Sequence, residues 1–106
     1  MSTDRLTALL EFLQETPDDP FTLYAVATEY RQDNPQTALS YYKKLLEKHP
    51  HYVPTYYHAA QLYVDLDQPK QAEQTYQKGI AEAKQQNDAL ALRELTNAYN
   101  NFLYEE

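Results

Sequence analysis

Few side chains in this sequence have catalytic or ligating chemistry, and their spacing decides what they can do. There are three histidines, His49, His51 and His58, and no cysteine. The missing cysteines remove disulfides, thiolate zinc sites, iron–sulfur clusters and cysteine nucleophiles together. A site built on imidazole alone needs converging ligands and partners that orient them. His49-Pro50-His51 reads as a turn, His58 follows two helical turns on, and no carboxylate stands at a matching interval. The three rings are expected on the surface or between helices, and no metal or other cofactor is expected. Asp18-Asp19 and Glu105-Glu106 are sequence neighbours, which suits charge at helix ends better than the opposed geometry of acid–base catalysis. Gly79 is the single glycine, so a glycine-rich phosphate loop cannot form. The expectation is a protein that is not an enzyme.

Charge narrows the partners. Nine Lys and Arg against 16 Asp and Glu give −7, which opposes a phosphate backbone, so nucleic acid is not an expected partner. No apolar run approaches the roughly 20 residues that cross a bilayer. The stretch from Met1 to Glu15 alternates charge with leucine and does not form a signal core. No membrane contact and a cytoplasmic location are expected. With 106 residues, one Gly and 6 Pro, the chain fits one domain and lacks the turn residues of a β-sandwich or barrel. Eleven tyrosines supply the buried area that a modest aliphatic content does not.

Shifting the sequence against itself shows what must position these side chains. Leu23, Val26, Ala27 and Tyr30 return 33 residues later as Tyr56, Ala59, Ala60 and Tyr63. Ala38, Tyr42, Leu45 and Leu46 return 34 later as Ala72, Tyr76, Gly79 and Ile80. The slip of one falls between these blocks, where Asp33–Pro35 and Asp67–Pro69 carry turn chemistry expected to absorb it. Each unit is then two helices and a short turn. Six helices are expected, over about 3–15, 20–32, 35–48, 54–66, 69–86 and 88–104, with Asp19 capping the second and Asn87 or Asp88 the sixth. Leu6, Leu9, Leu10 and Leu13 give the first helix one apolar face, and Leu92, Leu95, Tyr99 and Leu103 do so for the last. Leu92, Leu95, Thr96 and Tyr99 also follow Tyr56, Ala59, Ala60 and Tyr63 by 36, while Ala8, Phe12 and Pro20 precede Ala38, Tyr42 and Pro50 by 30. The outer helices therefore look like half-units that cap the stack. The organisation is one domain with an N-terminal cap over 1–18, a first repeat over 19–50, a second over 51–86 and a C-terminal cap over 87–106.

These residues resemble the tetratricopeptide repeat family, in which a large residue, Leu, a small residue and Tyr mark the first helix of a unit, and Ala, an aromatic and a closing Pro mark the second. One unit supplies Leu23, Val26, Ala27, Tyr30, Ala38, Tyr42 and Pro50, and the next supplies Tyr56, Ala59, Ala60, Tyr63, Ala72 and Tyr76. Asn34 and Asp67 take the place of the usual turn glycine, and both residue types tolerate left-handed backbone. Lys84 replaces the second closing proline, which lets the fifth helix run long. The resemblance implies an all-α fold, an α-solenoid of antiparallel helix pairs in a right-handed superhelical stack. It implies a non-catalytic protein–protein interaction module that binds a peptide or partner protein on its concave face. Carried over position by position, that face holds Tyr24, Thr28 and Arg31, then Tyr57, Gln61 and Val64, then Arg93, Asn97 and Asn100. The clamp with which some members hold the C-terminal carboxylate of chaperones would need basic and amide residues where Tyr24, Thr28, His58, Leu90 and Glu94 stand. The alternative function is self-association through Tyr41, Tyr52 or Tyr104, which lie outside the packing register. A monomer or weak homodimer is the expected state.

Overall fold

The computed structural model describes residues 3–105, and their regular structure is entirely helical. The six helices are α1 (Thr3–Glu15), α2 (Pro20–Tyr30), α3 (Pro35–Lys48), α4 (Pro54–Asp65), α5 (Pro69–Gln85) and α6 (Ala89–Glu105). They fall into two compact units, Met1–Tyr52 and Val53–Glu106.

In the first unit, proline starts both helices of the hairpin and a side-chain cap fixes one entry. The Asp19 carboxylate accepts from the Thr22 amide at 2.8 Å and the Thr22 hydroxyl at 2.7 Å. Pro20 sits at the first helical position, where a missing N–H costs nothing. Leu23, Val26 and Ala27 of α2 and Ala38, Tyr42 and Leu45 of α3 are fully buried. Each of these is a position that the repeat assigns to packing. α1 lays its half-buried leucines, Leu6, Leu9, Leu10 and Leu13, toward α2. Arg5 pairs with Glu29 across these helices at 3.0 Å. The turn after α1 is tied to the end of α3: Lys44 donates to the Pro17 carbonyl at 3.2 Å, and the His49 ring meets the Asp18 carbonyl at 2.6 Å.

Ala8 and Phe12, which match the buried Ala38 and Tyr42 in spacing, are exposed. Asn34, at the place of the usual turn glycine, is not left-handed, with φ −146°. The chain leaves α2 through Arg31, whose φ is −54°, and the Asn34 amide returns to the Tyr30 carbonyl at 2.8 Å.

The second unit closes its turns differently. Asp67 and Asn87 have φ of 59° and 57°. After α4 the Gln68 amide donates to the Tyr63 carbonyl at 2.8 Å and the Asp67 amide to Val64 at 3.0 Å. After α5 the Asp88 amide donates to Ala83 at 2.9 Å and the Asn87 amide to Lys84 at 3.1 Å. Both are Schellman ends, which satisfy carbonyls the helix leaves open. The one-residue slip is therefore not absorbed in the turn. α4 runs two residues past Tyr63 and its turn is shorter than the one after α2, because a left-handed Asp67 reverses the chain at once. Asp88 then caps α6, its carboxylate accepting from the Ala91 amide at 3.1 Å.

Gly79 brings α5 close to both α4 and α6. A Cβ there would stand 2.6 Å from Tyr56 Cβ and 3.3 Å from Leu95 Cδ1. Tyr56 with Gly79 stands where the first unit has Leu23 with Leu45, one large residue against none in place of two of middle size. α6 packs chiefly on α5 through Leu95 and Phe102, both buried. Leu103, expected on that face, is exposed. Phe102 takes its place, seven residues from Leu95, with its ring 5.8 Å from Tyr76 and 6.4 Å from Tyr99.

Candidate functional site

The candidate residues lie along three helices, and each strip has its own degree of freedom from the core. On α2, Tyr24 is half-buried, with its ring edge-on to Tyr42 at 6.3 Å and to Tyr52 at 5.7 Å. Burial pushes its phenol upward, and the neighbouring tyrosines add to this. Thr28 is exposed, yet its hydroxyl is committed twice. It donates to the Tyr24 carbonyl at 2.8 Å and lies 3.1 Å from the Tyr42 hydroxyl. A hydroxyl has one proton, so Tyr42 is the donor in the second bond. Arg31 is half-buried at the end of the strip.

On α4, Tyr57 projects furthest, its ring edge-on to His58 at 5.4 Å. Gln61 and Val64, four and seven residues on, are half-buried on the same face. The Gln61 carbonyl accepts from the Tyr76 hydroxyl at 3.4 Å, which leaves its amide protons available. The bond repeats the one between Tyr42 and Thr28. In both hairpins the tyrosine of the second helix holds the polar side chain at the middle of the candidate strip.

On α6, Arg93, Asn97 and Asn100 are all exposed. At about 100° per residue they lie opposite the buried Leu95 and Phe102, on the side turned away from α5. The other edge of α6 is pinned by Tyr99, which donates to Glu73 at 2.9 Å and accepts from Gln77 at 2.9 Å.

The sequence reading passed over Phe21 and named Leu90 only as a residue at a clamp position. Phe21 is 69% exposed and Leu90 57%. Phe21 stands three residues before Tyr24, and Leu90 three before Arg93, each on the face of the strip it precedes. The repeat spacing contained this signal, because both precede by two the large residue that opens the motif, Leu23 and Leu92.

His49 is held by the Asp18 carbonyl, His51 is exposed, and His58 is half-buried against Tyr57. Among the described residues no group of three or more His, Cys, Asp or Glu is placed to hold a metal ion. Asp19 is occupied as a cap, and the bonds from Thr22 hold its carboxyl below the usual value.

Paired helices repeated at this interval, with tyrosine and alanine at fixed packing positions, define a helical-repeat protein. The tetratricopeptide repeat family model matches residues 29–95, and the chain belongs to that family. A tetratricopeptide repeat domain protein from Salinibacter ruber is similar in two solved structures. Its solution NMR structure is 41% identical with a TM-score of 0.80, covering 85% of this chain and 92% of that one. Its crystal structure is 40% identical with a TM-score of 0.79, covering 83% and 100%. The TPR2B domain of yeast Sti1, solved in a pHsp70 complex, shares the fold at 19% identity and a TM-score of 0.86, covering 95% of this chain and 82% of that one. No curated protein matches the chain.

Proposed function

We propose that this chain is a non-catalytic scaffold or adaptor that binds a peptide or partner protein along the first helices of its repeats. The contact residues in this reading are Tyr24, Thr28 and Arg31 of α2, Tyr57, Gln61 and Val64 of α4, and Arg93, Asn97 and Asn100 of α6. The family is one of protein-interaction modules, and the Sti1 neighbour is itself a complex with pHsp70. The observation that carries the reading is Tyr57. It is 36% exposed on a helix whose other two tyrosines are buried, and it stands beside the free amide protons of Gln61. A rigid aromatic next to an amide donor suits an extended segment, since the ring gives contact area at low entropic cost and the amide meets a backbone carbonyl. The residues at the carboxylate-clamp positions, Tyr24, Thr28, His58, Leu90 and Glu94, make a chaperone C-terminus the wrong ligand. Among the described residues no helix is long and apolar enough to cross a membrane, and a cytoplasmic site of action is part of the proposal.

The test is affinity capture from the native host with the wild-type chain, Tyr57→Ala and Arg93→Ala as baits. A protein retained by the wild type and lost from the variants supports the reading. Equal recovery by all three baits refutes it.

A further inference from the structure

The outward side of α6 has an order of its own. Leu90, Arg93, Asn97, Asn100 and Tyr104 form one stripe along the helix at about 100° per residue, opposite Leu95 and Phe102. Its ends are apolar or aromatic and open to solvent, Leu90 at 57% and Tyr104 at 93% exposure. Its centre is polar. Leu90 and Tyr104 each stand seven residues from Asn97, so the stripe, turned end for end, presents large groups where the original presents large groups. That is the property an isologous two-fold contact requires. Charge points the same way. In a chain of net charge −7 the stripe contains an arginine and no carboxylate, so it sets no acidic side chain of its own against a second copy. Antiparallel helices also set opposite ends of their dipoles side by side. The other two tyrosines outside the packing register already have partners within their own unit: Tyr41 stacks on Tyr30 at 5.9 Å, and Tyr52 lies on Tyr24.

We propose that this stripe is a homodimer contact. Two copies of α6 pack antiparallel with Asn97 near the two-fold axis. Leu90 of each copy covers the Tyr104 ring of the other, and Arg93 lies alongside the same ring as a cation over its face. One helix face per copy is a small contact, so the dimer forms as a concentration-dependent equilibrium. The proposal shares with the proposed function only the reading of Arg93, Asn97 and Asn100 as contact residues. Tyr57 on α4 lies outside it.

Sedimentation equilibrium of the full chain across a wide concentration range tests the proposal. The wild type is expected to show reversible monomer–dimer exchange. Leu90→Asp and Tyr104→Asp are each expected to weaken it at least roughly tenfold with unchanged helical signal. Because the chain has no cysteine, Asn97→Cys places one thiol near the axis. Under mild oxidation it should form a linked dimer faster than Gln71→Cys, which sits at an exposed site on α5. A monomer at every concentration, a dimer indifferent to both Asp substitutions, or equal cross-linking of the two cysteine variants overturns the proposal. Loss of a captured partner by Tyr57→Ala with the dimer intact, or loss of the dimer by Tyr104→Asp with capture intact, separates this contact from the proposed binding site.

Discussion

Replacing Gly79 with alanine sets two effects of opposite sign against each other. Inside an exposed helix the change stabilises by about 1 kcal/mol, because glycine loses the most backbone freedom on folding. At Gly79 the added carbon would meet Tyr56 Cβ at 2.6 Å, Tyr56 Cγ at 3.0 Å and Leu95 Cδ1 at 3.3 Å. Leu95 can turn its side chain aside, but Tyr56 Cβ is fixed to the α4 backbone. Relief requires α4 and α5 to part, and overpacking of this kind costs about 1–3 kcal/mol. A contact this short belongs at the upper end, so the net loss is about 1–2 kcal/mol after the propensity gain is subtracted. Urea unfolding followed by helical signal, with the slope unchanged, measures it. The melting temperature should fall by roughly 4 °C or more. Ala81→Gly, on the exposed side of the same helix, controls for propensity and should lose about 1 kcal/mol. Tyr56→Leu should not rescue Gly79→Ala, since leucine keeps the clashing carbon. A Gly79→Ala protein as stable as the parent, or more so, would refute the close approach of α4 and α5.

Two further outcomes follow from buried polar groups. Thr55 is fully buried and its hydroxyl has no hydrogen-bond partner. Thr22, its equivalent 33 residues earlier, gives its hydroxyl to Asp19, and Tyr52 stands where that aspartate would recur. Thr55→Val should therefore stabilise by about 1–2 kcal/mol in the same urea assay while Thr22→Val destabilises, and a loss at Thr55 would show a hidden partner. Burial raises the phenols of Tyr24, Tyr42, Tyr56, Tyr63 and Tyr76 above their ordinary value. The stability this represents is complete below the unfolded value of about 10 and is lost as pH rises through the higher folded values. Melting temperature and tyrosinate absorbance should change together above about pH 10, and free ionisation there with the helices intact would contradict the packing.

The helices were legible because their signals are local. Asp19-Pro20, Asn34-Pro35 and Asp88 mark helix starts through chemistry that needs no partner, and α1 and α3 begin and end where the residue pattern puts them. The repeat made Ala27, Ala38, Ala60 and Ala72 readable as fully buried, since a small residue at the same place in each hairpin lets its two helices approach closely. What failed depended on neighbours. Phe102 takes the place expected of Leu103 by packing on the Tyr76 ring, a residue far away in sequence. At the candidate site the strip positions came from the resemblance to the family, and the hydrogen bonds that commit them could not come from it. That Thr28 spends its hydroxyl on Tyr24 and Tyr42 depends on a geometry no spacing rule encodes, whereas the exposure of Phe21 and Leu90 was readable in principle and missed.

The turns of the second unit have no slack. Gln68 ends α4 through its amide and opens α5 through its carbonyl, and Asp88 does the same between α5 and α6. An inserted residue at either joint would break a closing bond of one helix and the opening bond of the next. Length variation among related chains should therefore spare these two corners.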